Sequence, residues 1–190
     1  CALPILGVAP IDRFEGAPPY LHPSNIFPET KSIIVIGMRY LRGAFRGIEE
    51  GINWPTYALA GDFILGHSLG LVSAEVGAFI EEYGWEAVPV SALAAYPEYE
   101  GLRPGRHKVP GKLSPDVSIS VRFAAVAAGL GEIGYSKVFL SPQFGPRQRL
   151  TVVLTDAPLT PDPLFRGTIC DHCLRCVTEC PSGAISTKEV

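Results

Sequence analysis

Apolar positions along the chain recur with two spacings that divide it into strands and helices. Residues 32–38 are a nearly continuous β-branched run between polar residues, which predicts a central strand buried on both faces. Residues 57–83 carry apolar side chains at helical spacing and predict one long helix that stops at Gly84. The same criteria predict further strands at the N-terminus and over 86–90, 137–140 and 150–155, and a second helix over 118–128.

Two stretches rich in proline and glycine show no periodicity and predict loops. Residues 97–117 are the longer one, and their cationic side chains would either hold an anionic group or be solvated. Residues 158–167 predict a connector to the C-terminal segment. Helices mixed with strands indicate an α/β or α+β class. We therefore expect a core over residues 1–160 and a smaller module over residues 161–190.

Composition narrows the classes of function. Hydrophobic residues make up 47% of the chain, which suffices for a core, and no apolar run reaches the length that predicts a membrane span. The formal charge of −3 gives no electrostatic signal for nucleic acid. Charged residues are only 18% of the chain, so apolar surface is left for a cofactor or a partner, and a homodimer is one such arrangement.

Four of the five cysteines lie close together near the C-terminus, and Pro181 follows the last of them. Their spacing, C-x2-C-x2-C-x3-C-P, is that of bacterial ferredoxins and predicts thiolate ligands for a [4Fe–4S] cluster. Zinc is the alternative, although zinc sites normally pair two C-x2-C units far apart in sequence. Clustered rather than scattered cysteines also predict a reducing compartment, the cytoplasm. The candidate ligands are Cys170, Cys173, Cys176 and Cys180.

The fourth cysteine raises the question of a second cluster. In two-cluster ferredoxins the last cysteine of this run binds the other cluster, whose remaining ligands come from a second copy of the motif. The 190 residues contain no second copy, and Cys1 is the one remaining thiol. We expect the natural chain to continue past Val190 with the second motif; the alternative is that Cys1 or a non-cysteine ligand completes the site.

The segment from Gly129 to Gly134 matches the dinucleotide fingerprint G-x-G-x-x-G, but in the wrong context. That fingerprint follows a strand and opens a helix, whereas here an alanine-rich helical run precedes it and an apolar strand follows. Gly129 and Gly131 instead predict a helix C-terminus and a tight turn. Glycine imposes no side chain, so the backbone at this turn could approach a flat cofactor.

Four ordered segments resemble one enzyme family. These are RFAAVAAGLGEIG at 122–134, LSPQFG at 140–145, LTDAPL at 154–159 and the cysteine run. In this order they resemble the epoxyqueuosine reductases and the related cores of reductive dehalogenases. The resemblance implies a nitroreductase-like, three-layer α/β core that holds cobalamin, with a flavin as the other candidate. A ferredoxin-like iron–sulfur segment would follow it.

In such a protein electrons would pass from a ferredoxin- or flavodoxin-type donor through the clusters to cobalt, which would reduce a small-molecule substrate. The resemblance also implies the positions that line the corrinoid site: Gly129, Leu130, Gly131, Gly134, Pro142, Gly145, Thr155 and Asp156. An electron-transfer or scaffold protein with no cofactor in its core is the alternative.

The chain departs from the family pattern near the expected proton donor. Pro115 stands where the epoxyqueuosine reductases have an acidic residue, and Asp116 is adjacent. The Glu-Arg pair of the following helix is Val121-Arg122 in this chain. A less characterised iron–sulfur relative is therefore expected. Asp116 is the candidate general acid, with a helix N-cap near Ser118 as the alternative role.

Overall fold

The computed structural model describes residues 4–90 and 117–186. Its strands are β1 Ile5–Pro10, β2 Ser32–Arg39, β3 Ala87–Val90, β4 Glu132–Ile133, β5 Phe139–Leu140 and β6 Gln148–Thr155. Its helices are α1 Arg46–Glu49, α2 Pro55–Ala58, α3 Gly66–Glu82, α4 Val121–Ala127 and α5 Arg175–Thr178. A π-helical segment, Leu59–Leu65, joins α2 to α3, and short 3-10 turns fill much of the stretch between β1 and α1.

A four-stranded antiparallel sheet is the centre of the fold. Its strand order is β1-β2-β6-β3, so β2 and β6 are flanked on both sides. Their register runs from Ser32 opposite Thr155 to Arg39 opposite Gln148. Ile33, Val35, Ile36 and Leu154 are at most 1% exposed, which confirms the predicted central strand buried on both faces. β4 and β5 form a separate two-stranded sheet.

Helices cover both faces of the sheet. Alternate residues of a strand point to opposite faces. Ile33 and Val35 pack in one hydrophobic cluster with Ala124 and Ala125 of α4. Ile34 and Ile36 pack in another with Leu69 and Ile80 of α3. The result is the three-layer arrangement of helix, sheet and helix that was expected for the core.

The connector that follows β6 covers the outer edge of β1. The Val8 amide donates to Asp162 Oδ2 at 2.8 Å, and the Asp162 amide donates to the Val8 carbonyl at 2.9 Å. Arg13 Nη1 donates to the carbonyls of Ala127, at 2.6 Å, and of Asp162, at 2.9 Å. These bonds satisfy backbone groups that an edge strand would otherwise leave open, and they tie the connector to the end of α4.

The predicted long helix is present, but its buried face differs from the expected one. Helical structure runs from α2 through the π segment to the end of α3, and Gly84 follows with φ +83°. The sheet-facing line of α3 is Leu69, Ser73, Gly77 and Ile80. Four apolar side chains that the periodicity assigned to the core are exposed by at least half: Leu59, Phe63, Phe79 and Tyr83.

Two features explain this error. The π segment is wound by hydrogen bonds between residues i and i+5. Side chains before Gly66 are therefore rotated around the helix axis relative to those after it, compared with a regular α-helix. Within α3, the sheet-facing line passes through the small residues Ser73 and Gly77, which a hydrophobic pattern does not detect. An added Cβ at Gly77 would lie 3.7 Å from side-chain atoms of Ala87 and Pro89, so the helix packs closely on β3.

By length and composition alone, the helical stretch Pro55–Glu82 would be long and apolar enough to cross a membrane. Leu69 and Ile80 are nevertheless buried against the sheet, at 3% and 7% exposure. Only 28% of the most apolar window of this stretch is buried, and a single helix of this length and composition is weak evidence for a membrane span.

The remaining elements differ from the predictions mainly at their ends. α4 begins at Val121 rather than at 118, because Ser120 has an extended backbone and the Ser118 amide donates to the Tyr20 carbonyl. Strand β4 was not predicted, since it lies inside the glycine segment. The predicted loop over 97–117 lies almost entirely outside the described residues.

Candidate functional site

The four cysteines of the C-terminal segment lie on one short, tightly wound stretch of chain. Backbone φ is +55° at His172 and +60° at Leu174, so the chain reverses sharply around the first two cysteines before α5 begins. Left-handed residues beside right-handed ones form concave nests of N–H groups that bind anionic groups, including iron–sulfur centres. All four thiols are free of disulfides, and Cys173 is the most exposed of them.

Hydrogen-bond donors lie at the first and last thiols of this segment. The Tyr135 amide donates to Cys170 Sγ at 3.4 Å. The Ser182 hydroxyl lies 3.5 Å from Cys180 Sγ, and its hydrogen bond, followed by one from the Ala184 backbone, lowers the pKa of Cys180 from 9.0 to about 7. Thiolates are the ligands of iron–sulfur clusters. The donor set and its surroundings therefore fit a cluster.

A site for one metal ion is a different arrangement. Within residues 4–90 and 117–186, no three His, Cys, Asp or Glu side chains converge closely enough to hold a single ion. Structural zinc requires four ligands, each about 2.0 to 2.3 Å from one point. The described thiols are not gathered in that way, and because a cluster also needs its thiolates around one centre, this observation by itself does not separate zinc from a cluster.

Glu132 fastens the start of the cysteine segment to the core. Its Oε1 atom accepts hydrogen bonds from the amides of Ile169, at 2.7 Å, and Cys170, at 2.6 Å. The residue is half-buried and lies in β4, directly after α4 and its turn. A carboxylate that accepts two backbone N–H groups forms strong, charge-assisted bonds. Sequence reasoning missed Glu132, because 38 residues separate it from Cys170.

Tyr135 makes a second link between the core turn and the cysteine segment. Besides its amide bond to Cys170 Sγ, its hydroxyl donates to the Ser186 carbonyl at 3.0 Å. Its ring meets the His172 ring edge-on, with centroids 5.7 Å apart. The turn that resembled a nucleotide fingerprint is thus the part of the core against which the cysteine segment docks.

The glycines of this turn are required by the packing of the chain itself. A Cβ at Gly129 would overlap the Pro163 carbonyl oxygen, and one at Gly131 would overlap the Leu140 carbonyl oxygen. Gly134 lies against the Leu140 side chain and near Cys170. Leu130 packs against the core cluster below α4. The predicted helix C-terminus is confirmed, with φ +74° at Gly129 and its amide donating to the Val126 carbonyl.

The other positions implied for a corrinoid site are distributed over two places. Thr155 is fully buried, and its hydroxyl donates to the Glu86 carbonyl at 2.7 Å. Asp156 Oδ1 accepts from the Glu86 amide at 2.8 Å. Pro142 and Gly145 lie in the turn between β5 and β6, where a Cβ at Gly145 would meet nothing within 4 Å. The described residues therefore do not bring the eight positions into one open cradle.

A largely apolar cavity of about 650 Å³ lies elsewhere, between the first 3-10 turns and α4. Phe14, Leu21, Phe123, Val126 and Leu164 contribute to its lining. Its volume is in the range of small-molecule sites, but none of the positions implied for the cofactor lines it. Asp116, the candidate general acid, lies outside the described residues.

A buried tyrosine directly follows β2. Tyr40 is 6% exposed, its hydroxyl accepts from Arg149 Nε at 3.1 Å, and its ring stacks on Tyr57 at 5.5 Å. Buried tyrosine hydroxyls usually find such a partner. We interpret Tyr40 as a core residue that holds the start of β6.

Comparisons with known proteins find two groups of similar enzymes. No protein-family model matches the chain. Tetrachloroethene reductive dehalogenase of Sulfurospirillum multivorans is 47% identical over 73 residues, which are 37% of this chain and 14% of that enzyme. Epoxyqueuosine reductase of Listeria monocytogenes is 26% identical over 175 residues, which are 87% of this chain and 38% of that enzyme. The chain thus spans a minor part of the relatives it matches.

Solved structures of the same two groups share the fold. A reductive dehalogenase described in connection with B12-dependent dehalogenation superimposes with a TM-score of 0.67 at 20% identity, over 96% of this chain and 24% of that one. Epoxyqueuosine reductase from Streptococcus thermophilus gives 0.55 at 14% identity, over 96% and 50%. The molecule is a mixed helix-and-sheet protein with a cysteine-rich C-terminus. It is a homologue of the reductive dehalogenases and the epoxyqueuosine reductases.

Proposed function

We propose that the protein is an iron–sulfur oxidoreductase in which a [4Fe–4S] cluster, bound by the C-terminal cysteines, delivers electrons to a cofactor held by the core. The observation that carries this proposal is the docking of Cys170 on the core through Glu132 and Tyr135. A cluster held by this segment would lie against the α/β core rather than on a detached tail. The homologues are reductases, which supports the same class of reaction.

Each part of the segment has a separate role in this proposal. Cys170, Cys173 and Cys176 would supply thiolates to one cluster, and Cys180 would complete it or reach a second one. The cluster supplies one-electron transfer when bound. The amide of Tyr135 and the hydroxyl of Ser182 stabilise negative charge on the first and last thiolates. We expect a ferredoxin- or flavodoxin-type electron donor and a reducing, cytoplasmic environment.

Cobalamin is the cofactor that the relatives suggest, since one matching structure concerns B12-dependent dehalogenation. The described residues give it only partial support. Gly129, Gly131 and Gly134 are covered by the chain itself, and Thr155 and Asp156 bond to Glu86. We therefore assign no reaction step to a corrinoid here, and the substrate class stays a small molecule that accepts electrons.

Anaerobic reconstitution with iron and sulfide tests the proposal. We expect a broad visible absorption, about four irons per cluster, and an electron paramagnetic resonance signal after reduction with dithionite. Cys176→Ala should lose most of the bound iron. Cys1→Ser tests the alternative in which Cys1 completes the site; it should keep the wild-type iron content if the motif alone binds the cluster. Wild-type iron content in Cys176→Ala, or zinc in place of iron, would overturn the proposal.

A second candidate function is electron transfer or scaffolding with no cofactor in the core. The covered glycine turn and the engaged Thr155 and Asp156 favour it, because they leave no open cradle at the implied positions. Titration of the reconstituted protein with cob(II)alamin separates the two candidates. Stoichiometric binding with a change in the cobalt spectrum supports the reductase. A reducible cluster with no cobalamin binding supports the second candidate.

A further inference from the structure

Glu132 contacts the cysteine segment at its first ligand. One carboxylate oxygen accepts from two successive amides, those of Ile169 and Cys170, at 2.7 and 2.6 Å. The side chain is half-buried, so solvent screens its charge less than that of a surface carboxylate. The Glu132 carboxylate therefore places a negative charge beside the backbone of Cys170, whose side chain is the first thiolate of the motif.

We propose that Glu132 is a positioning residue with two functions: it docks the cysteine segment on the core, and its charge lowers the reduction potential of the bound cluster. The inference rests on the proposed function. Reduction adds one electron to the cluster and neither forms nor breaks a bond, and the electron comes from the ferredoxin- or flavodoxin-type donor. A nearby negative charge disfavours the state with the extra electron, so the cluster becomes a stronger reductant.

The Tyr135 amide acts on the same thiolate in the opposite direction. A hydrogen bond to a ligand sulfur spreads its negative charge and thereby favours the reduced cluster. Its distance to Cys170 Sγ is 3.4 Å, long for a bond to nitrogen or oxygen but normal for sulfur. The Tyr135 amide therefore offsets part of the effect that we assign to the Glu132 carboxylate.

Other charged groups of the segment differ from Glu132 in exposure and in contact. Asp171, Arg175 and Glu179 are all exposed to solvent. Asp171 Oδ1 accepts from the Cys173 amide at 3.1 Å, and its charge is partly balanced by Arg175. Exposed charges interact weakly because water and salt screen them. Glu179 lies beside Cys180 in sequence, which makes it a matched exposed carboxylate for comparison.

Glutamine at position 132 separates the two functions of the side chain. Glu132→Gln keeps an oxygen that can accept from both amides but removes the charge. Glu132→Ala removes the acceptor as well and leaves two half-buried amides without a partner. This substitution therefore weakens the docking of the cysteine segment on the core, in addition to removing the charge. Glu132→Asp keeps the charge on a shorter side chain and tests whether the charge alone restores the wild-type potential.

The experiment is a spectroelectrochemical titration of the reconstituted wild type and variants. Glu132→Gln should retain the wild-type iron and sulfide content and show a midpoint potential shifted to more positive values. Glu179→Gln should shift it less, and Glu132→Asp should return it toward the wild-type value. Glu132→Ala should lose a large share of its iron at unchanged far-ultraviolet circular dichroism.

Two results would overturn the inference, and they are distinguishable. A wild-type potential in Glu132→Gln, at full cluster content, would contradict the role of the charge while leaving the proposed function intact. A wild-type chain that takes up no iron would refute the proposed function and this inference with it. If the midpoint potential shifted as much in Glu179→Gln as in Glu132→Gln, the net charge of the protein would explain the shift. That result would also count against the inference.

Discussion

At the scale of single residues, Gly129 carries two constraints at once. Its φ of +74° is in the left-handed region, and a Cβ would overlap the Pro163 carbonyl oxygen of the connector. We expect Gly129→Ala to lower the free energy of unfolding by about 2 to 5 kcal/mol, roughly 1 to 2 from the backbone conformation and the rest from overpacking. Urea denaturation followed by circular dichroism measures this change.

Gly84 offers the matched control for that substitution. It also ends a helix with a positive φ, +83°, but a Cβ there would meet nothing within 4 Å. Gly84→Ala should therefore cost only the contribution of the backbone conformation, about 1 to 2 kcal/mol. Equal losses in the free energy of unfolding would contradict this prediction, because the contact between Gly129 and the connector would then contribute nothing to stability.

The contrast between the cysteines and Glu132 shows what local sequence can reveal at this scale. Cys170, Cys173 and Cys176 could be predicted as ligands because the chemistry of a cluster motif depends on spacing within one short loop. Glu132 and Tyr135 bond to Cys170 from 38 and 35 residues away in sequence. Nothing in local spacing encodes that distance, since the fold alone brings β4 beside the cysteine segment.

At the scale of elements, strands were easier to predict than helix faces. β2 is buried on both sides, so its uninterrupted β-branched run gives a clear signal. α3 packs on the sheet through Ser73 and Gly77 as well as Leu69 and Ile80. Small residues allow close approach but carry no hydrophobic signal, so the pattern selected Phe79 and other exposed side chains in their place.

This packing predicts opposite effects for two glycines of the same helical stretch. At Gly77 an added methyl group would make ordinary contacts with Ala87 and Pro89, so Gly77→Ala should raise stability by about 0.5 to 1 kcal/mol through helix propensity. At Gly61 it would overlap the hydroxyl of buried Tyr40, which Arg149 holds in place. Gly61→Ala should therefore cost about 1 to 3 kcal/mol.

Chemical denaturation of the two variants beside the wild type checks this pair. Tyrosine fluorescence near Tyr40 should change in Gly61→Ala and not in Gly77→Ala. A loss of stability in Gly77→Ala would mean that α3 lies closer to β3 than 3.7 Å contacts allow. A neutral Gly61→Ala would mean that Tyr40 can move away from the π segment.

At the scale of the whole molecule, the hydrophobic core and the cysteine segment are joined by few contacts. Among the described residues, the buried clusters contain nothing after Ala157. The segment beyond the connector reaches the core turn mainly through polar bonds from Glu132 and Tyr135. The sequence division at residue 160 is consistent with this distribution of buried side chains, and it stays a prediction for folding units.

This division predicts how the protein responds to loss of iron. The three-layer core buries its apolar residues without the cysteine segment. Removal of the cluster by oxidation in the presence of a chelator should therefore leave the main thermal transition within about 4 °C of that of the reconstituted protein. For a chain of this size, that shift corresponds to roughly 1 kcal/mol. Far-ultraviolet circular dichroism measures that transition. Ile33→Ala, which truncates a fully buried side chain of β2, is the reference for damage to the core and should cost about 2 to 5 kcal/mol with the cluster still bound. If removal of the cluster instead unfolded the protein, the cluster would be part of the folding core. The polar contacts of Glu132 and Tyr135 would then couple the cysteine segment to the core far more strongly than their number suggests.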